Sequence, residues 1–179
     1  MTATITPLTD VDGSALEALA DLLVDAVEGG ASVGFLLPLP VDEAAAWWRE
    51  ALTDPLTETW VARDADDRIV GTVRLTRASK PNSRHRGEIS KLMVVRSARR
   101  QGIASRLMHT AESAAWAHGL RLVLLDTETD SPAQPFYLAR GWTVVGVIDD
   151  YATTPYGEPA ATTVMELRRP PAAAGTSGE

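Results

Sequence analysis

The sequence predicts an α/β fold of the α+β kind, a mixed sheet carrying helices on both faces. Apolar positions alternate between a period of two and a period near 3.6, in the order βααβββαβαββ. At 179 residues, with 45% hydrophobic and 23% charged residues, the chain can bury a sizeable core. Neither an internal repeat nor an interdomain linker interrupts it. Residues 1–169 read as one domain and 170–179, PPAAAGTSGE, as a disordered tail.

The Ile and Thr content of residues 3–7 suits a short strand. Ser14 and Glu17 have the spacing of a capping box, and Leu16, Leu19, Ala20, Leu23 and Val27 follow at helical spacing until Gly29 and Gly30. Residues 31–40, ASVGFLLPLP, are apolar but broken by Gly and Pro, hence a loop. Asp42 is placed to cap a second helix running through Trp47 and Trp48 to Leu52. Two strand patterns, 59–62 and 69–75, flank the acidic turn 64–67 and form a hairpin. A polar loop at 80–86 precedes a strand at 88–95, a helix at 100–118, a strand at 120–127 and a short helix at 132–140. Strands at 142–148 and 161–167 enclose a Gly/Pro/Tyr loop at 149–159.

Bulk properties exclude several functions. A formal charge of −7 argues against general nucleic-acid binding and mildly favours a cationic partner. With no cysteine, disulfides, thiolate catalysis and Cys-based zinc sites are removed, and a reducing cytoplasm is the expected setting. The three histidines have no metal-ligand spacing, and no metal site is implied. Ser14 and Ser32 lack a His/Asp partner pattern. The first residues show no signal-peptide pattern, and no apolar stretch approaches the roughly 20 residues of a membrane span.

The most informative segment runs from Gly87 to Met108. A strand enters Arg99, Arg100, Gln101, Gly102, Ile103 and Ala104, which open an amphipathic helix. The first amides of a helix lack internal partners and, with the helix dipole, bind anions such as phosphate. Gly102 lets a ligand approach the backbone, and Arg96, Arg99, Arg100 and Arg106 add positive charge. The pattern Arg-x-x-Gly-x-Ala is neither a P-loop nor a dinucleotide fingerprint.

This spacing, together with Phe136-Tyr137 ahead of Arg140-Gly141-Trp142, resembles the GNAT N-acetyltransferases. The resemblance implies a central mixed, mostly antiparallel sheet of about six to seven strands with about four helices, splayed at the acetyl-CoA site. Two positions depart from the family pattern: Arg96 replaces a usual proline, and Asp130 a common asparagine, which puts one cofactor-side contact in doubt. A narrower resemblance, to the tabtoxin-resistance acetyltransferases, is carried by residues 29–35, 80–82, 91–94, 125–128 and 152–155.

The resemblance implies acetyl-CoA as the acetyl donor and no metal. Its pantetheine arm would run along Met93, Val94 and Val95, and its pyrophosphate would sit on the amides of Arg100, Gln101, Gly102, Ile103, Ala104 and Ser105, beside Arg99. An amide of Met93 or Val94 would polarise the thioester carbonyl, a donor worth ~3 kcal/mol in an oxyanion hole. Glu88 is the first candidate base, otherwise a solvated charge at a strand start. By strand alternation it shares a face with Ser90, Leu92 and Val94, and Lys91 points the other way. Asp126, the second candidate, ends an apolar run where ligands collect in open sheets, with Glu128 two residues on; otherwise it caps a loop. Tyr137 matches the family tyrosine that protonates the departing thiolate, otherwise a core aromatic. Phe35 and Trp47 could line the acceptor site, although the tryptophans also read as core.

Without cysteine, the reaction expected is direct attack by a small-molecule amine, an antibiotic or toxin among the candidates. Protein or peptide acetylation needs an open groove, and a non-catalytic acyl-CoA sensor would keep the cradle alone. Neither nucleic acid nor membrane is an expected partner. Family members are often dimers, and an exposed strand near the C-terminus could pair across subunits to give a homodimer.

Overall fold

A computed structural model describes residues 3–170 of the chain; the tail expected beyond Pro170 lies outside the described residues. The elements are β1 (Thr4–Pro7), α1 (Gly13–Glu28), α2 (Val41–Ala51), β2 (Thr57–Arg63), β3 (Ile69–Arg77), β4 (Arg86–Val94), α3 (Ile103–Ala117), β5 (Leu122–Glu128), α4 (Ala133–Leu138), β6 (Thr143–Thr153) and β7 (Pro159–Arg168). The strands form one sheet, ordered β1-β2-β3-β4-β5-β7-β6. Every neighbouring pair is antiparallel except β4 and β5, whose crossover is made by α3. This is the mixed, mostly antiparallel sheet with four helices that the sequence predicts.

β4 and β5 pair only from Arg86 to Glu88 against Leu122 to Leu124, although β4 continues to Val94 and β5 to Glu128. Beyond that point the sheet is split.

Each face carries its own apolar cluster. On one, Leu19, Leu22, Leu23 and Trp48 of α1 and α2 pack over Val61 and Met93. On the other, Leu107, Met108 and Ala111 of α3 pack over Val73, Leu75 and Val123 with Trp142. Trp60 and Val61, adjacent on β2, go to opposite clusters, as a pleated strand requires.

Several boundaries differ from the sequence expectation, for local reasons. The cap of α1 is Asp12, not Ser14: its carboxylate accepts from the Ala15 amide at 2.7 Å, and the Ser14 hydroxyl donates to the same oxygen at 2.8 Å. An anionic acceptor suits the positive helix end better than a hydroxyl does. The helix leaves by a Schellman turn, with Gly30 N–H on Val27 and Ala31 N–H on Ala26. α2 begins after Pro40, and Asp42 lies in its first turn without capping it. α3 starts at Ile103 rather than Arg100, because Arg100 and Gly102 adopt left-handed φ of 60° and 76°. β6 runs through Asp149 and Asp150, expected to be loop; an irregularity between Ile148 and Ala152, with Asp150 at φ 51°, absorbs the acidic pair.

The most consequential difference is in β4. Thr72 pairs with Met93 but Arg74 with Ser90, so one extra residue is inserted, and Lys91 takes φ 52°. The bulge reverses the facing of the strand. Ile89 packs in the α3 cluster but Met93 in the α1–α2 cluster, and Leu92 and Val94 lean toward α3. Glu88 and Ser90 therefore do not share a face with Leu92 and Val94. Lys91, expected to point away from Glu88, turns to the α1–α2 side.

The short helix α4 is held by a buried carboxylate. Glu112 of α3 accepts from Arg140 Nη2 at 2.8 Å and from Trp142 Nε1 at 3.0 Å. Removing one partner of such a buried set leaves a charge and an indole N–H without acceptors. Glu112→Ala should lose about 3 kcal/mol of stability, read as a lower urea midpoint with unchanged slope. A loss under about 0.5 kcal/mol would show the network to be incidental.

Candidate active site

The split between β4 and β5 opens a cavity of about 660 Å³. The loop leaving α1 forms one wall, with Gly34 and Phe35. β4 supplies Ser90, Lys91 and Leu92, β5 supplies Asp126 and Glu128, and α4 supplies Tyr137. Tyr151 and Thr153 of β6 complete the rim. Leu37 N–H donates to Pro155 O at 2.8 Å, tying the 31–40 loop to the β6–β7 turn, two segments whose neighbours line the rim.

Tyr137 is 8% exposed and lies edge-on to Phe136, with ring centroids 5.3 Å apart. Burial, and then the Asp126 carboxylate, push its phenol pKa up to about 12. Asp126 follows from alternation on β5: Val123 and Leu125 enter the α3 cluster, so Asp126 faces the other side.

Glu88 opens onto a separate groove of about 380 Å³ with Asp54, Lys80 and Arg86. Desolvation first, and Asp126 second, raise its pKa; Arg86 and Lys91 oppose this. Its side chain is still exposed, so solvent screens these influences. Of the three expected catalytic residues, Asp126 and Tyr137 share the cavity and Glu88 stands beside it. Phe35 and Glu128 also line it, and Trp47 does not: it backs Phe35, with centroids 5.6 Å apart.

Beyond β4, Gly102 caps α3 in a left-handed conformation with no side-chain cap bond, and nothing lies within 4 Å of where its Cβ would stand. The first intrahelical bond is donated by Arg106 to Gly102 O, so the amides of Ile103, Ala104 and Ser105 have no helical carbonyl to meet. Not all the expected positive charge serves this turn. Arg96 binds Asp25 at 2.7 Å and Glu28 at 3.1 Å, and Arg106 donates to Ala3 O, so both brace the fold. Arg99 lines the cavity, its Nε on Val94 O at 3.1 Å. Val95 N–H is committed to Val70 O on β3; by alternation Val94 presents its backbone to the open edge, where Arg99 meets it.

Lys91 is the site residue that sequence reasoning passed over. Its ammonium donates to Val33 O at 2.9 Å and lies 4.8 Å from the Trp47 ring centre and 5.9 Å from that of Phe35. Desolvation chiefly, then Arg74, hold its pKa below the usual lysine value, against the pull of Asp126 and Glu88. The available signal was a lone cation in the strand Ile89-Ser90-Lys91-Leu92-Met93; the bulge that aims it had none.

A glycine turn with free amides at a helix start, a split sheet edge beside it, and one cavity lined by both a buried phenol and a carboxylate suit acyl transfer. The profile of the acetyltransferase (GNAT) family matches residues 17–142. An uncharacterized N-acetyltransferase in the hisH-hisA intergenic region of Azospirillum brasilense is 30% identical over 129 residues, 71% of this chain and 76% of that protein. The crystal structure of an N-acetyltransferase from Staphylococcus aureus Mu50 superposes with a TM-score of 0.78 at 20% identity, covering 94% of this chain and 99% of its own. A phosphinothricin acetyltransferase from Sinorhizobium meliloti, solved with AcCoA, gives 0.76 at 18% identity, over 99% and 97% of the two chains. The chain belongs to the GNAT acetyltransferase family.

The state of Tyr137 is directly measurable. From its ordinary value of 10 up to about 12, the folded protein holds a phenol proton that the unfolded chain has lost. Stability should fall as pH rises through that window, and Tyr137→Phe should flatten the slope. Ultraviolet titration should show a phenol ionising only near pH 12 in the wild type and not in Tyr137→Phe.

Proposed function

We propose that the protein is an acetyl-CoA-dependent N-acetyltransferase that acetylates a primary amine of a small molecule by direct attack in a ternary complex. One observation carries this: Asp126 and Tyr137 line a single cavity together with Lys91 and Leu92 of β4 and with Arg99, which precedes the helix-start turn. The residues present fit acetyl-CoA. The open space at Gly102 and the free amides through Ser105 suit a pyrophosphate, with Arg99 beside them. The outward backbone of Val94 suits an extended polar arm. Bound there, acetyl-CoA supplies an acetyl group on a thioester.

Asp126 binds the acceptor ammonium and takes its proton at a carboxylate oxygen. We favour it over Glu88 because it shares the cavity with Tyr137. Glu88, next door, keeps negative potential on that end of the split. Tyr137 is neutral at working pH, since its pKa stands near 12, and gives its Oη proton to the departing sulfur. The backbone N–H of Val94, in preference to Met93, polarises the acyl carbonyl. Phe35 and Leu36 exclude water on the loop side, and Glu128 adds a second carboxylate for the amine.

The bond from Leu37 to Pro155 ties two rim segments together, which favours a small acceptor over an extended peptide that would need them splayed apart. Residues from four of the five segments that resemble the tabtoxin-resistance acetyltransferases line this one cavity, which supports that subgroup and a toxin- or antibiotic-like amine. The catalytic unit on this reading is the single domain 1–169.

The test is release of CoA thiol with acetyl-CoA and a panel of small amines. Release should require the amine. Asp126→Asn and Tyr137→Phe should each lower kcat by about 100-fold or more while acetyl-CoA affinity by calorimetry stays near wild type. Parallel loss of turnover and affinity would give these residues a structural role instead.

A further inference from the structure

Lys91 has an arrangement that acetyl transfer to a plain amine does not call for. Its φ of 52° is left-handed, in a residue with neither glycine's freedom nor an Asn/Asp side chain to bond locally. Strain of this kind persists where surrounding structure holds it, and it concentrates at ligand sites. Here it brings Lys91 into the cavity lining, with its ammonium on the Val33 carbonyl of the loop that forms one wall.

The ammonium is held but not neutralised. One of its three donors goes to Val33 O at 2.9 Å, and Trp47 and Phe35 flank it with their rings. Among the described residues it forms no ion pair. Gly34 faces it: a Cβ there would stand 3.9 Å from Nζ, so larger side chains would crowd the ammonium. Within the same cavity, β5 presents Asp126 and Glu128. The cavity thus has a cation on β4 and carboxylates on β5; Asp126 acts on the Lys91 ammonium without forming an ion pair with it. A small molecule carrying both an ammonium and an anion matches both; a simple polyamine would leave Lys91 facing another cation.

Resting on the acetyltransferase reading above, we infer that Lys91 is the specificity-determining residue of the acceptor site, taking the carboxylate of an amino-acid-like acceptor whose amine meets Asp126. Lys91 touches no bond that changes. It fixes which end of a zwitterion enters, and so presents the amine to the carboxylate that deprotonates it.

The experiment compares kcat/KM for amino acids with their decarboxylated amines and their carboxamides, in wild type, Lys91→Met and Lys91→Arg. Wild type should favour the carboxylate form by at least about tenfold, the size of one charged hydrogen bond. Lys91→Met should bring that ratio close to one, mostly through KM, and Lys91→Arg should keep much of it. If Lys91 were only a strut for the 31–40 loop, Lys91→Met would lower all acceptors alike and leave the ratio intact, overturning the inference. Wild type acetylating amines and carboxamides as well as the acids would overturn it too, with the acetyltransferase function intact and no variant needed. Acetyl-CoA binding without CoA release on any acceptor would overturn both.

Discussion

Everything at this site depends on the short pairing of β4 with β5. Three residues on each strand are in register, and then the two strands part while each continues along its other neighbour. A strand edge normally demands a partner, because its N–H and C=O groups are otherwise left to water. Here that demand is left open: the free edge of β4 faces a cavity, and a polar extended ligand can satisfy it. The gap brings together residues more than a hundred positions apart, from Gly29 after α1 to Thr162 on β7.

Two devices keep the split in place. On the β4 side, the turn after the strand is clamped to α1 by Arg96, whose guanidinium meets Asp25 and Glu28 and whose amide meets Asp25 at 2.9 Å. Arg96 thus fixes the exit from the strand by ion pairing. On the β5 side, Glu112 holds Arg140 and Trp142, which fixes α4 against α3 and sets Tyr137 facing the cavity. Asp130, at the other departure from the family pattern, takes φ 60° and donates its N–H to Gln134 at 2.9 Å, a local turn that leads into α4.

The sequence made the fold class, the element order and the glycine turn ahead of α3 legible because these rest on short-range patterns: alternation, helical spacing and a glycine before a helix. Asp126, Glu128 and Tyr137 fall on one cavity, since each sits on a strand or helix whose facing follows regular periodicity, and Phe35 reaches it from the 31–40 loop. The errors arise where regularity breaks. A single inserted residue at Lys91 reverses the facing of half a strand, which no count of alternating residues reveals, and brings Lys91 to the α1–α2 side against the expectation from alternation. Glu88, four-square in the pattern, precedes the point of divergence and so opens onto the neighbouring groove. Arg96 and Arg106 added correctly to a local charge count, but their partners, Asp25, Glu28 and Ala3, lie too far along the chain for sequence proximity to indicate them.

The central claim is that the split edge of β4 and the start of α3 form one continuous seat for acetyl-CoA, ending between Asp126 and Tyr137. A crystal structure with bound CoA tests it most directly. The account predicts the pyrophosphate on the amides of Gly102 to Ser105, the arm along Val94, and the thiol beside Tyr137 Oη. CoA held elsewhere, or a thiol lying outside the cavity shared by Asp126 and Tyr137, would contradict it.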